Sequence, residues 1–178
     1  ALRYGEYRES VDIDFLVSDV GSYRTLRQLL TGLKGIAAIL RDDAGPLTQA
    51  RAVRADQYGI RTMLRVGDQP IKFEIVLEGR IELSAPASSD EVCGIATLTP
   101  QDMAASKLLA NSDRWGDDGV FNRDLIDLAM MKPSLALLRH AVEKAEGAYG
   151  GAILHDLDKA LDRLQNRHGW LERCMQAM

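Results

Sequence analysis

Cysteine is nearly absent from this chain, and the two present, Cys93 and Cys174, have neither CxxC spacing nor paired histidines. That excludes a disulfide framework and a cysteine zinc site, and it fits a reducing compartment. No apolar run approaches the roughly 18 residues of a membrane-spanning helix, and no signal peptide is visible. The expectation is a soluble cytoplasmic protein with no membrane partner. A basic excess is missing too. With a net charge of −4, any nucleic-acid site would have to be a local patch. His140, His155 and His168 lack metal-ligand spacing and read as structural or solvent-facing. There is no internal repeat and no low-complexity segment. What remains is ordinary globular material: 178 residues, 46% hydrophobic and 27% charged. That suffices for one domain, or for a small catalytic domain with a helical lobe.

The informative stretch is Ser10-Val11-Asp12-Ile13-Asp14-Phe15-Leu16, where apolar residues alternate with carboxylates. This is the period of a half-buried strand, with Val11, Ile13 and Phe15 on one face and Asp12 and Asp14 on the other. The carboxylates then stand roughly 6.6 Å apart, at about 3.3 Å per residue. At that spacing they reach toward a shared cation or a metal pair, and without one they repel. Ser10 shares their face. Arg3 and Arg8, just upstream, are either surface charge or phosphate-binding residues.

Downstream, Asp19-Val20-Gly21-Ser22 is a turn and helix start. Leu26, Leu29, Leu30 and Leu33 predict an amphipathic helix over about residues 23–33. Residues 36–40 are a short strand or the last turn of that helix, and 41–57 read as a loop around Gly45-Pro46. Two strands, 58–66 and 71–77, form a hairpin through Gly67-Asp68-Gln69-Pro70. In the second, Glu74 stands opposite the apolar set Ile71, Phe73, Ile75 and Leu77. Glu82, in Ile81-Glu82-Leu83, is a rival for the same role, and the mid-strand position favours Glu74.

Thr99-Pro100-Gln101-Asp102 opens a helix to about residue 110, burying Met103, Ala104 and Leu108, with Lys107 on its flank. Residues 111–119 read as a loop, after which Asn122 caps a helix carrying Arg123, Asp124 and Asp127. Helices follow over 135–146, about 152–165, and 168 to the end. Leu154, Leu157, Leu161 and Leu164 form a stripe expected in the core.

Three blocks carry a resemblance. Leu2-Arg3-Tyr4-Gly5 with Arg8-x-Ser10-x-Asp12-Ile13-Asp14-Phe15 comes first, then Leu98-Thr99-Pro100-x-Asp102-Met103-x-Ala105-x-Lys107, then Arg123-Asp124-Leu125-x-Asp127-Leu128. In this order they resemble the AbiEii/AbiGii (MenT-like) toxin nucleotidyltransferases of the polymerase-beta-like superfamily. The resemblance covers about residues 1–131 and implies an α+β fold. A nucleotidyltransferase-type mixed β-sheet with flanking helices would occupy 1–98. A C-terminal helical lobe, 99–178, would contribute Lys107 and Asp124 to the site.

It further implies that Asp12 and Asp14 bind metal, with Glu74 as third carboxylate. Ser10, Arg8 and Arg123 would contact substrate, Lys107 the triphosphate, and Asp124 would complete the site. The implied cofactor is Mg²⁺ in a two-metal site, with Mn²⁺ as the alternative ion. The implied partners are an NTP, an RNA acceptor (tRNA in some members) or a protein acceptor, and a cognate antitoxin. The superfamily's Gly-Gly or Gly-Ser turn lies about ten residues before the aspartate pair. Here the chain opens Ala1-Leu2-Arg3-Tyr4 without Met, so an N-terminally truncated fragment is expected.

The expected activity is therefore metal-dependent transfer of an NMP from an NTP by a toxin component. The alternative is a catalytically degenerate nucleotidyltransferase fold kept as a binding or regulatory module. A haloacid-dehalogenase nucleophile loop at Asp12-x-Asp14 is disfavoured, because Glu9 and Ser10 stand where that motif needs apolar residues.

Overall fold

Alternation of apolar and polar residues builds a sheet with one greasy face. In a computed structural model, which describes residues 2–9 and 12–178, the first strand is β1 (Asp12–Val17), followed by helix α1 (Val20–Leu30). Two short strands, β2 (Thr48–Gln49) and β3 (Arg54–Ala55), precede the hairpin of β4 (Gly59–Val66) and β5 (Gln69–Leu77). The order is β1-β5-β4-β2, with β3 also pairing β4. β1 runs parallel to β5, and the other pairs are antiparallel. The sheet is thus mixed, as the expected α+β class requires.

Ile60, Leu64, Phe73 and Ile75 supply the buried face, and Tyr23, Leu30 and Ile36 pack on it. Phe15 leans on Phe73 with ring centroids 5.8 Å apart. Asp19 caps α1 by accepting from the Ser22 amide. The helix starts and ends three residues earlier than its leucine pattern predicts. Its inward stripe is Tyr23, Leu26 and Leu30, while Leu29 and Leu33 are exposed. Leucine spacing alone picks the wrong edge of the stripe, because the Tyr23 hydroxyl also anchors the helix, donating to the Asp56 carbonyl. Residues 35–38 form a 3₁₀ turn, and the expected loop 41–57 contains β2 and β3. There Thr62 of β4 donates to the Arg51 carbonyl.

A second hairpin, β6 (Glu91–Val92) and β7 (Ile95–Ala96), leads into five helices. These are α2 (Pro100–Arg114), α3 (Arg123–Met130), α4 (Leu135–Tyr149), α5 (Ala152–Asn166) and α6 (Trp170–Gln176). Thr99 caps α2 as expected, accepting from the Asp102 amide. Helix α2 outruns its predicted end because polar residues find partners there. Ser112 donates to Asp156, and Arg114 forks onto Asp124. Ala104, Ala105, Ala141, Ala145 and Ala160 are fully buried, and small side chains let α2, α4 and α5 approach closely. On α5 the inward residues are Ile153 and Ala160; of the expected leucine stripe, Leu164 packs against Ile126, Trp170 and Cys174 and Leu157 is half-buried, while Leu154 and Leu161 are exposed.

Asn122 precedes α3 with φ +49°, and its side chain does not cap the helix. Its amide instead donates to the Trp115 carbonyl, and its oxygen accepts from Trp170 Nε1 at 2.7 Å. Trp170, 1% exposed, stacks on Phe121. Asn122→Ala leaves that buried indole N–H without its partner. The expected cost is about 2 kcal/mol, read as a lower midpoint in urea with unchanged slope.

The chain forms two compact units, residues 12–82 and residues 2–9 with 83–178. This differs from the expected boundary at 98. Arg3 explains the difference at one end: it donates to Thr97 Oγ1, the Leu98 carbonyl and Asp90, tying the N-terminal segment to the unit that holds the helices.

Candidate active-site clusters

Two clusters carry the expected residues, one in each unit. In the sheet unit, register makes the first. Asp14 lies directly across from Glu74, and Asp12 from Lys72, on neighbouring parallel strands. Partners in register share a face, so Asp12, Asp14, Lys72 and Glu74 stand together, opposite the core. Arg61 of β4 extends the row, paired across from Glu74. Asp12 and Asp14 are exposed, and Glu74 is buried.

Glu74 is taken on both oxygens. Oε1 accepts from Arg61 Nε, and Oε2 pairs with Lys72 Nζ at 2.6 Å. Burial works to raise its pKa, yet these two cations outweigh it and hold the carboxyl below the ordinary value. Arg61 also binds Asp56, so its guanidinium is fixed between two acids. Glu82, the rival third carboxylate, is exposed and lies outside any strand. Ser10 lies outside the described residues.

Among the described residues no three acidic, histidine or cysteine side chains come together as a metal-binding group. Asp12 and Asp14 are nonetheless hard oxygen donors on one open strand face. Mg²⁺ is commonly held by one or two carboxylates, with water and substrate phosphate completing its shell. The donor set fits that mode rather than a three-carboxylate cage, since Glu74 would have to give up two ion pairs to join.

The second cluster lies in the helical unit, centred on Asp127. This carboxylate accepts from Tyr7 Oη at 2.7 Å, from Arg8 Nε and Nη2 at 2.9 and 3.0 Å, and from Lys107 Nζ at 2.6 Å. Asp124, one turn earlier on α3, takes the Arg114 fork at 2.7 and 2.9 Å and meets Lys107 at 3.4 Å. Both aspartates are buried. Burial alone would raise the Asp127 pKa, but Arg8, Lys107 and Tyr7 drive it far below the usual carboxylate range.

The structure brings Lys107 and Asp124 together and adds Asp127. Arg8, expected at substrate phosphate, instead spans Asp127. Arg123, expected to touch substrate, is exposed while its neighbour Asp124 is buried. Two further participants are legible from spacing alone. Asp127 lies three residues after Asp124, on the same helix face. Lys72 lies two before Glu74, on the same strand face.

Tyr7 gives this cluster an optical reporter. Burial first, then its bond to the Asp127 carboxylate, pushes the phenol up to about 12. A folded pKa above the unfolded value means that the contribution is complete below pH 10.0 and lost as pH rises through about 12. The difference in alkaline absorbance titration between wild type and Tyr7→Phe is expected to show one phenol titrating near that upper value. In Asp127→Asn the same phenol moves down toward its ordinary value, without reaching it, because burial persists.

The family model described as nucleotidyl transferase AbiEii toxin, type IV toxin–antitoxin system, matches residues 1–175 of the 178. No curated protein and no solved structure matches the chain.

Proposed function

Because the chain belongs to the AbiEii nucleotidyl transferase toxin family of type IV toxin–antitoxin systems, we propose that it transfers an NMP from an NTP to an RNA, in particular tRNA, or to a protein. The reading is carried by Asp12 and Asp14, two exposed carboxylates on one face of a strand whose register is fixed by β5. These two residues would hold Mg²⁺. When bound, the ion supplies charge neutralisation at the triphosphate and lowers the pKa of the attacking hydroxyl.

The reaction forms an acceptor O–P bond at the α-phosphorus and breaks the bond to the β-phosphate, releasing pyrophosphate. The chain's own contribution is positioning and electrostatics. Lys107 is a cation with a fixed base: Asp127 holds it at 2.6 Å and Asp124 at 3.4 Å. Such an ammonium, 28% exposed, is oriented and only partly screened by solvent, which suits a phosphate contact. Asp124 and Asp127 orient it, and Arg8 and Arg114 balance their charge.

The proposed role is that of the toxin, with a cognate antitoxin as partner and the cytoplasm as location. Among the described residues no helix is long and apolar enough to cross a membrane. One observation favours the second reading, a degenerate binding module: Glu74 is locked by Lys72 and Arg61. Incubation with each labelled NTP, Mg²⁺ and a tRNA pool separates the two. Label transferred to RNA or protein supports the enzyme, and label transferred to neither supports the module.

A further inference from the structure

Lys72 is the cation that neither the family motifs nor the reading above employs. It stands across from Asp12 in register, pairs with Glu74 at 2.6 Å, and keeps a side chain 45% exposed. Three carboxylates share this sheet face with Lys72 and Arg61, the two cations that pair with Glu74. The two cations are not equivalent. Arg61 is gripped by Glu74 and by Asp56. Lys72 pairs with Glu74 at the end of a flexible four-carbon stem.

Its hydrogen bond to Glu74, with Asp14 and Asp12 adding at longer range, keeps the ammonium charged above the ordinary lysine value. A divalent cation arriving at Asp12 and Asp14 would meet this charge at close quarters. Like charges disfavour that arrangement, and the anionic phosphates entering with the ion offer the ammonium a stronger partner than Glu74.

We propose that Lys72, held by Glu74 beside Asp12, is the counter-cation of the carboxylate face and moves to the substrate phosphates when the divalent ion binds. Glu74 serves as the anchor for Lys72 before the ion arrives, and it keeps Arg61 afterwards rather than acting as a metal ligand. The proposal deepens the nucleotidyl-transfer reading and rests on it.

The test measures Mn²⁺ binding to the full protein by the loss of the free-ion paramagnetic resonance signal, first alone and then with inorganic tripolyphosphate. Lys72→Met is expected to bind Mn²⁺ alone about tenfold more tightly, as one repelling charge near a divalent ion is removed. The same variant binds tripolyphosphate in the presence of Mn²⁺ about tenfold more weakly, and Lys72→Arg restores both values to within a few-fold. Circular dichroism checks the fold, and Lys72→Gln carries the same readings if Lys72→Met does not fold. Mn²⁺ affinity that is unchanged or weaker in Lys72→Met and Lys72→Gln overturns the proposal while leaving nucleotidyl transfer standing. A wild-type chain that binds no Mn²⁺ overturns the metal-site reading beneath it, and the proposal with it.

Discussion

Asp12→Ala lowers nucleotidyl transfer by on the order of 10³-fold or more and leaves the fold intact. The two halves of that expectation have separate physical grounds. Asp12 sits at the start of an edge strand, exposed, on the face opposite the core. Removing it breaks no packing, and exposed substitutions typically change stability by about 0.5 kcal/mol or less. Relief of repulsion from Asp14 even favours the variant slightly. Activity behaves differently, because one of two proposed metal ligands has gone and Glu74 is committed to Arg61 and Lys72. Single-turnover transfer from a labelled NTP measures the loss, and thermal melting measures the fold. A variant that melts like wild type and still transfers label at wild-type rate would remove Asp12 from the site.

Asp127→Asn has the largest expected effect on stability, about 3 kcal/mol, or a fall in melting temperature of roughly 10 °C. Asp127 is 3% exposed and accepts from Tyr7, Arg8 and Lys107. Asparagine keeps the shape but leaves Arg8 without its counter-charge, and Lys107 with only the longer contact to Asp124. Breaking a buried pair in this way costs more than the pair contributes, because a charge is left in a poor environment.

The pH dependence fixes the assignment. The folded pKa of Asp127 lies below its unfolded value of 3.8. Its contribution is therefore complete above that value and lost as pH falls through the folded one. Wild type should lose stability in acid from the ordinary aspartate range downward, whereas Asp127→Asn should show a flatter acid limb. Denaturant melts across that window give both curves, and parallel curves would mean that Asp127 is not the titrating group. Since Asp127 also orients Lys107, the variant should raise KM for the NTP more than it lowers kcat.

The part of this protein that sequence alone determined is whatever depends on period and capping. Alternation placed Asp12 and Asp14 opposite the apolar side of β1, and Glu74 opposite that of β5, because a strand's side chains have period two whatever packs around them. Thr99 and Pro100 set the start of α2 through local hydrogen bonding and a fixed φ. Gly67, with φ +57°, and Asp68 turned the β4–β5 hairpin. The motifs in order resembled the family over about residues 1–131, and the family model extends the match to 1–175. Leucine spacing served less well, since on α1 and α5 it named leucines such as Leu29 and Leu161 that face outward.

Only the tertiary structure decided which charges meet. The parallel register set Glu74 beside Asp14 and Lys72 beside Asp12, and pairing with β4 then brought Arg61 to lock Glu74. Asp127 became the hub of the helical unit because Tyr7 and Arg8, 120 and 119 residues away in sequence, reach it. No periodicity encodes a contact of that span. It follows from chain packing that buries Asp127, and a buried carboxylate persists only where cations come to meet it.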